Sequence, residues 1–241
     1  MGEKQNIYVI ACGVLAQDIL NVAKNKNLHI KTKFLPGGLH NRPEELRQRV
    51  QHAIDKKAND LSLDRIIIGY GLCGRGTVDI QARRVPLVIP KVHDCIALFL
   101  GSNQAYQEEF QRFPGTFYIS GGWYHENIAS RPLGSEKIWV GDKSIETRDI
   151  KKKFGNKDGG SIIDFFTAWQ KNYQRAAFID TGLNEASIHE DHAKEMARKY
   201  GWKFERLIWD LSLLTRLLIS REPTDDIIVV PPGYSTLYSP I

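Results

Sequence analysis

The sequence predicts an α/β protein whose mostly parallel, doubly wound sheet is flanked by helices, as one sheet or as two Rossmann-like lobes. Three observations carry this. Short β-rich runs alternate with helical patterns, which implies parallel βαβ units. Most of the runs are continuously apolar instead of alternating, as expected where helices cover both faces of a sheet. Hydrophobic residues make up 42% of the 241 and charged residues 25%, which excludes a disordered, collagenous or coiled-coil chain.

Residues 7–11 read as the first strand and 14–24 as a helix carrying Val14, Leu15, Ile19, Leu20, Val22 and Ala23. Residues 29–35 alternate as a second strand, ended by Pro36, Gly37 and Gly38. Pro43 opens a helix to about residue 57, with Leu46, Val50 and Ile54 four apart on one stripe. Residues 65–68, 86–89 and 116–119 read as further strands. The polar, charged stretch 141–160 ends in paired glycines and reads as an exposed linker. Beyond it come helix 161–173, strand 176–179, helix 184–199, an ambiguous 204–208, helix 211–219 and strand 227–230. The expected organisation is a main lobe over 1–140 carrying the cysteine loops, the linker, and a smaller α/β lobe over 161–241.

The net charge of +5, from 33 Lys+Arg against 28 Asp+Glu, is no nucleic-acid footprint, because the densest basic run is only Lys151, Lys152 and Lys153. No apolar run reaches the ~20 residues of a membrane span. Residues 7–16 have the length of a signal-peptide core, but Glu3 precedes them and no small-x-small cleavage site follows. The segment reads as the buried first strand of a cytoplasmic protein. Three cysteines then argue against a disulfide scaffold, the count being odd and the expected compartment reducing.

Where those cysteines fall is the informative fact. Cys12 follows the first strand, Cys73 lies just beyond the third, and Cys95 just past the fourth. Ligands of open parallel sheets bind outside the carboxyl ends of the strands, so the three thiols are expected to converge as metal ligands. His93 arrives with Cys95, and His40 follows the second strand; either imidazole suits proton transfer near neutrality. Gly13, Gly71 and Gly74 would let backbone approach a bound group closely. The competing account treats each cysteine as a small buried hydrophobe. Three thiolates from separate loops, with no fourth, fit a [4Fe–4S] cluster with one open iron. The alternative is zinc on His93, Cys95 and one further thiol, although no local C-x₂₋₄-C knuckle exists. Gly69-x-Gly71-x-x-Gly74 also matches a dinucleotide fingerprint, weakly, since it follows the third strand. Trp123, Tyr124 and His125 follow the fifth strand and could reach the same edge. Glu185, His189, Glu190, Asp191, His192 and Glu195 look metal-rich, but helical spacing makes them chiefly a solvated face. Arg75, Arg83, Arg84 and Lys91 give the strand-end region positive charge suited to an anionic substrate.

Taken together, Ala11-Cys12-Gly13, Leu39-His40, the GYGLCG segment ending at Gly74, the HDCIALFLGS segment from His93 and Pro114-Gly115 resemble an uncharacterised family of methanogens and other anaerobes. Its members often lie near corrinoid methyltransferase genes. The likeness covers most of the chain, strongest over 7–123. It implies a cytoplasmic protein of one-carbon or methylated-compound metabolism, with a corrinoid protein as a possible partner, and supplies no reaction. Together with the residues, it points to a metalloprotein acting on a small molecule, as a metal-dependent transferase or lyase. The rivals are a zinc–thiolate methyl-transfer enzyme and a non-catalytic accessory or metal carrier of a corrinoid system.

Overall fold

A computed structural model describes residues 6–129, 137–140, 143–182 and 186–237. The chain is a mixed α/β protein with parallel sheets flanked by helices. Strand β1 (Ile7–Cys12) is buried at every position and leads through a 3₁₀ turn into α1 (Ala16–Asn25). Next come β2 (Ile30–Leu35), α2 (Pro43–Asp55), β3 (Arg65–Gly69) and β4 (Leu87–Pro90). Pro43 opens α2 where the first-turn N–H has no helical partner to lose. β2 alternates between exposed and half-buried positions because it is an edge strand.

Two short helices that carry little periodic signal follow, α3 (Ile96–Phe99) and α4 (Asn103–Arg112), the latter capped by the Ser102 hydroxyl. Strand β5 (Thr116–Ser120) leads into α5 (Gly121–Tyr124), which continues as one π-helical turn, His125–Ala129. A hairpin of β6 (Lys137–Val140) and β7 (Lys143–Glu146) precedes α6 (Thr147–Thr167), which is broken at Gly155, φ 78°. Then come β8 (Arg175–Asp180), α7 (Ala186–Tyr200), β9 (Lys203–Ile208), α8 (Ser212–Ile219) and β10 (Ile227–Val230). No helix among the described residues is long and apolar enough to cross a membrane.

The main sheet has the order β10-β4-β3-β1-β2, parallel except for β10, which runs antiparallel to β4. Ile7, Val9 and Ala11 of β1 face a core built with Leu15, Ile19, Phe99, Leu214 and Leu218. Tyr8, Ile10 and Cys12 face the opposite core, filled by Leu46, Val50 and Ile54 of α2. Each aliphatic side chain fully buried this way contributes about 1.5–3 kcal/mol. The second sheet, β5-β8-β9, is fully parallel and packs Ile119, Ala176 and Phe178 against Ala193 and Ala197 of α7. Its other face meets the first core through Ile179, Tyr118 and Leu207.

The sheets do not follow the sequence division expected around 141–160. β5 lies before that stretch yet belongs to the second sheet, while α8 and β10 return to the first. The described part of the stretch is β7 and the first two thirds of α6, exposed over 151–158. The ambiguous segment 204–208 is a strand, because β8 supplies a parallel partner for its whole length.

Two buried charged groups sit where the sheets meet or are braced. Arg175 is 3% exposed and is held by Glu109, by Glu205 at 2.6 Å, by the Thr116 hydroxyl at 2.9 Å and by the face of Phe113. Asp18 in the first turn of α1 is fully buried, and the Thr181 hydroxyl beyond β8 lies beside it without forming a well-aligned hydrogen bond to either oxygen. Burial outweighs that hydroxyl and pushes the Asp18 carboxyl up to about 6 from the ordinary 3.8. The folded state therefore holds this proton more tightly than the unfolded chain. The resulting contribution to stability is fully present below about pH 4 and is lost as pH rises to about 6. Asp18→Asn is expected to gain up to about 3 kcal/mol at pH 8 and to flatten the slope between those values. Urea unfolding of both proteins across that pH range checks it. Arg175→Ala is expected to cost about 2–4 kcal/mol, because it leaves the largely buried Glu109 carboxylate without its partner while Glu205 keeps Arg112; thermal unfolding reads this directly.

Candidate functional site

In the main sheet the chain leaves β1 toward β2 on one side and β3 on the other. Loops after neighbouring strands diverge at such a reversal and open a crevice along the carboxyl edge. Cys12 is the last residue of β1, and β3 ends four residues before Cys73, so two thiols flank the reversal. Cys95 comes from the next strand over, at the entry to α3.

Backbone hydrogen bonds bring the last two loops together. Leu72 N–H donates to the Val92 carbonyl at 2.8 Å, and Cys73 N–H to the His93 carbonyl at 2.9 Å. A Cβ on Gly71 would lie 2.7–2.9 Å from the backbone of Asp94, so only glycine permits this approach. Cys73, Gly74 and Arg75 then take left-handed backbone in succession, with φ 46°, 64° and 72°. Such a conformation at a residue with a side chain costs on the order of 1–3 kcal/mol and persists where the surroundings dictate it. Residues 77–82 are tied down from the far end of the chain: Asp79 N–H donates to the Thr236 carbonyl at 3.0 Å, and Ala82 N–H to that of Tyr234 at 2.9 Å.

The thiols of Cys12 and Cys73 both lie against that of Cys95. The interaction with Cys95, then burial, push the Cys12 thiol far up, while the Val14 backbone N–H on its sulfur opposes this. At Cys95 the contact with Cys12 pulls down, but the contact with Cys73 and burial outweigh it and drive the thiol well up. The Gly71 backbone N–H reaches the Cys95 sulfur and favours its thiolate. Tyr70, 2% exposed, turns its hydroxyl toward the same sulfurs without a well-aligned hydrogen bond. Burial first, then the three cysteines, raise it strongly.

Two carboxylates border this group. Asp94 accepts from Ile96 N–H at 2.8 Å and from the Tyr106 hydroxyl at 2.9 Å. Glu126, from the π turn after α5, accepts from Gly37 N–H at 2.8 Å and acts electrostatically on Cys12. Neither has an ion-pair partner among the described residues. His40 sits in the turn Leu39–Asn41, exposed to solvent on one side; burial of its other side lowers its pKa, and the nearby Asp94 charge opposes that.

The structure thus brings together Cys12, Cys73 and Cys95, with His40 at the border. His93 is exposed, and what it gives the cluster is its carbonyl, not its imidazole. Each expected cofactor-binding glycine accommodates a protein group: Gly13 the Glu126 carboxylate, Gly71 the Asp94 backbone, and Gly74 the His40 carbonyl and Pro43. Turns, not a helix, follow Gly69-x-Gly71-x-x-Gly74, so the helix N-terminus that a dinucleotide pyrophosphate needs is missing there. Arg83 pairs with Asp55 at 2.6 Å instead of charging the site. The expected solvated face of α7 turns His189 inward, 1% exposed, with its ring 4.9 Å from that of Tyr124 and 5.0 Å from that of His125. Among the described residues, no group of three or more His, Cys, Asp or Glu side chains is set out as a ready metal-holding arrangement. The sulfurs pack on one another as thiols. Tyr70 and Glu126 were not singled out from sequence; the only signal for either was proximity to a glycine-rich strand end.

Fold and site together define a two-sheet α/β protein with three thiols, two buried and one half-buried, gathered at a strand reversal. The chain belongs to the family described as protein of unknown function (DUF1638), whose sequence model matches residues 34–218. That span holds Cys73, Cys95, His40 and Glu126, while Cys12 precedes it. No curated protein matches the chain. Among solved structures, the chain is similar to a crystal structure of a mutation variant of SsGBP, with 13% identity over 85% of this chain and 78% of that one. The TM-score of that comparison is 0.23.

The zipped loops make Gly71 a sensitive position. Gly71→Ala is expected to push Asp94 away, separate Cys73 from Cys95 and cost about 1–3 kcal/mol. Thermal unfolding would report the loss, and faster labelling of native thiols by Ellman's reagent would report the opened cluster.

Proposed function

We propose that this chain is a cytoplasmic metalloprotein whose centre is held by Cys12, Cys73 and Cys95. In this reading it is an enzyme acting on a small molecule of anaerobic one-carbon, methyl or sulfur metabolism. The observation that carries the reading is the gathering of three thiols from three strand ends, with backbone N–H groups on two sulfurs. Two bordering carboxylates that pair with no Lys or Arg among the described residues, beside three thiols able to ionise onto a metal, favour a cation as counter-charge. The left-handed backbone at Cys73 adds a cost that packing alone does not require.

The donor set fits a [4Fe–4S] cluster with three protein ligands better than zinc, because thiolate is that cluster's usual ligand and the His93 ring is turned outward. When bound, the cluster supplies one exposed iron able to polarise a substrate's sulfur or oxygen. The chain's own residues do the rest. The α2 side of the core shields the sulfurs, Tyr70 and the backbone N–H groups orient them, and His40, beside Asp94, exchanges a proton at its imidazole. His40 is better placed for this than His93.

Protein purified without oxygen is expected to be brown and to contain iron and acid-labile sulfide in near-equal amounts. Alanine at Cys12, Cys73 or Cys95 is each expected to lower the iron content by about tenfold or more. Stoichiometric zinc in a colourless protein would move the assignment to the zinc–thiolate alternative. Metal without turnover of methylated or thiolated small molecules would favour the accessory or carrier role. Neither iron nor zinc after anaerobic reconstitution would overturn the reading and leave the thiols as packing residues.

A further inference from the structure

The loop that carries Cys73 is closed from outside by a short strap, residues 233–236, which follows β10. The chain leaves β10 through Pro231 and Pro232, which have no N–H to prolong a ladder. It turns at Gly233, φ 83°, with Tyr234 N–H on the Pro231 carbonyl at 3.1 Å. Proline second and glycine third is the arrangement of a type II turn. The strap then runs antiparallel to the segment after Cys73, with Gln81 opposite Ser235.

Thr236 fastens it. This residue is 4% exposed, its N–H donates to the Ile80 carbonyl at 2.9 Å, and its hydroxyl accepts from Ile80 N–H at 2.8 Å. The same hydroxyl donates to the Thr77 carbonyl at 2.8 Å. The buried Thr77 hydroxyl donates in turn to the Gly71 carbonyl at 3.1 Å, and Gly71 presents its N–H to the Cys95 sulfur. Ile80, clasped on both its backbone groups, is fully buried in the core that also holds Cys12 and Cys73. Short contacts therefore run from the strap to the sulfurs.

What the strap lacks is apolar anchorage. Neither core around β1 includes any of its side chains, Ser235 is exposed, Tyr234 is 67% exposed, and the next residue, Leu237, is 81% exposed. A segment held by hydrogen bonds with little buried apolar area opens at a free energy well below that of the whole fold. Cys12 is placed in the opposite way, at the end of a strand paired on both sides.

We infer that strap 233–236 is the gate of the cysteine group: its release frees residues 77–82 and bares Cys73 to solvent, while both sheets stay folded and Cys12 stays enclosed. The closed fold, with Cys12 and Cys73 each 5% exposed, offers no comparable entry to an ion, a reagent or a small substrate. The inference goes beyond the metal reading and needs only the gathered thiols, so either can fail without the other.

Iodoacetamide, applied to the reduced, metal-free, full-length protein at one fixed pH, is the probe. Peptide mass analysis reads the initial alkylation rate of each cysteine at urea concentrations below the unfolding transition. In wild type the Cys73 rate is expected to be nearly independent of urea, as for a local opening, and the Cys12 rate to climb steeply, as for global unfolding. Thr236→Val removes two hydrogen bonds at nearly constant volume and should raise the Cys73 rate about tenfold or more, still without a urea slope. Thr236→Ser keeps the hydroxyl and should stay within about twofold of wild type. Far-UV circular dichroism checks that both variants are folded, and the wild-type comparison needs neither. If the wild-type Cys73 rate climbs with urea as steeply as that of Cys12, the thiol is bared only by global unfolding and the gate is overturned. A folded Thr236→Val that leaves the Cys73 rate unchanged, or a Thr236→Ser that opens as far as Thr236→Val, overturns the hydroxyl clasp as what holds it shut.

Discussion

The rest of the structure depends on the burial of β1. It lies between β2 and β3 and is covered on both faces, with Ile7, Val9 and Ala11 in one core and Tyr8, Ile10 and Cys12 in the other. A strand so enclosed has no freedom to slip, since a shift of one residue would exchange its two faces. The Cys12 sulfur inherits that rigidity. Helix α1 must then leave beside the second sheet, which puts Asp18 where the two sheets meet and Val14 under the start of α5.

Enclosure also sets the chemistry. The Cys12 and Cys95 thiols, in contact with one another and shielded from water, are held protonated by burial and by their neighbouring sulfurs. The same surroundings that make these sulfurs poor nucleophiles make them a responsive group once a compensating positive charge enters. Carboxylates at the border and backbone N–H groups on the sulfurs pull in opposite directions, so the balance is set by a few short contacts and not by the molecule's modest net charge.

Much of this was legible in the sequence, for a local reason. Continuous apolar runs such as 7–12 and 65–69 declare buried strands, and the residue after such a run must sit at a sheet edge. That is why the three cysteines could be placed together without any contact being known. Pairing between distant strands carries no such local mark. Ile227–Val230 looks like any buried strand, and nothing in it says that it joins β4 antiparallel. Thr116–Ser120 likewise does not say that it pairs with Arg175–Asp180. The polar stretch before Gly160 reads as a linker because helix-forming charged residues and glycines are mixed; Gly155 takes φ 78° and breaks the helix into two pieces there. Glu126 and Tyr70 escaped notice because each is one residue with no spacing to betray it. The outward turn of the His93 ring was equally hidden, since a backbone carbonyl does its local bonding.

The clasp between residues 77–82 and 233–236 has a consequence in time. An emerging chain exposes Cys12, Cys73 and Cys95 well before the segment carrying Tyr234 and Thr236 leaves the ribosome. Until then the loop after Cys73 lacks its outer anchor, and the main sheet lacks β10 and the cover of α8. Contacts of such long sequence separation form late. The three thiols thus pass their most accessible interval during synthesis, and what they meet in that interval is decided by the translating cell and not by the finished fold.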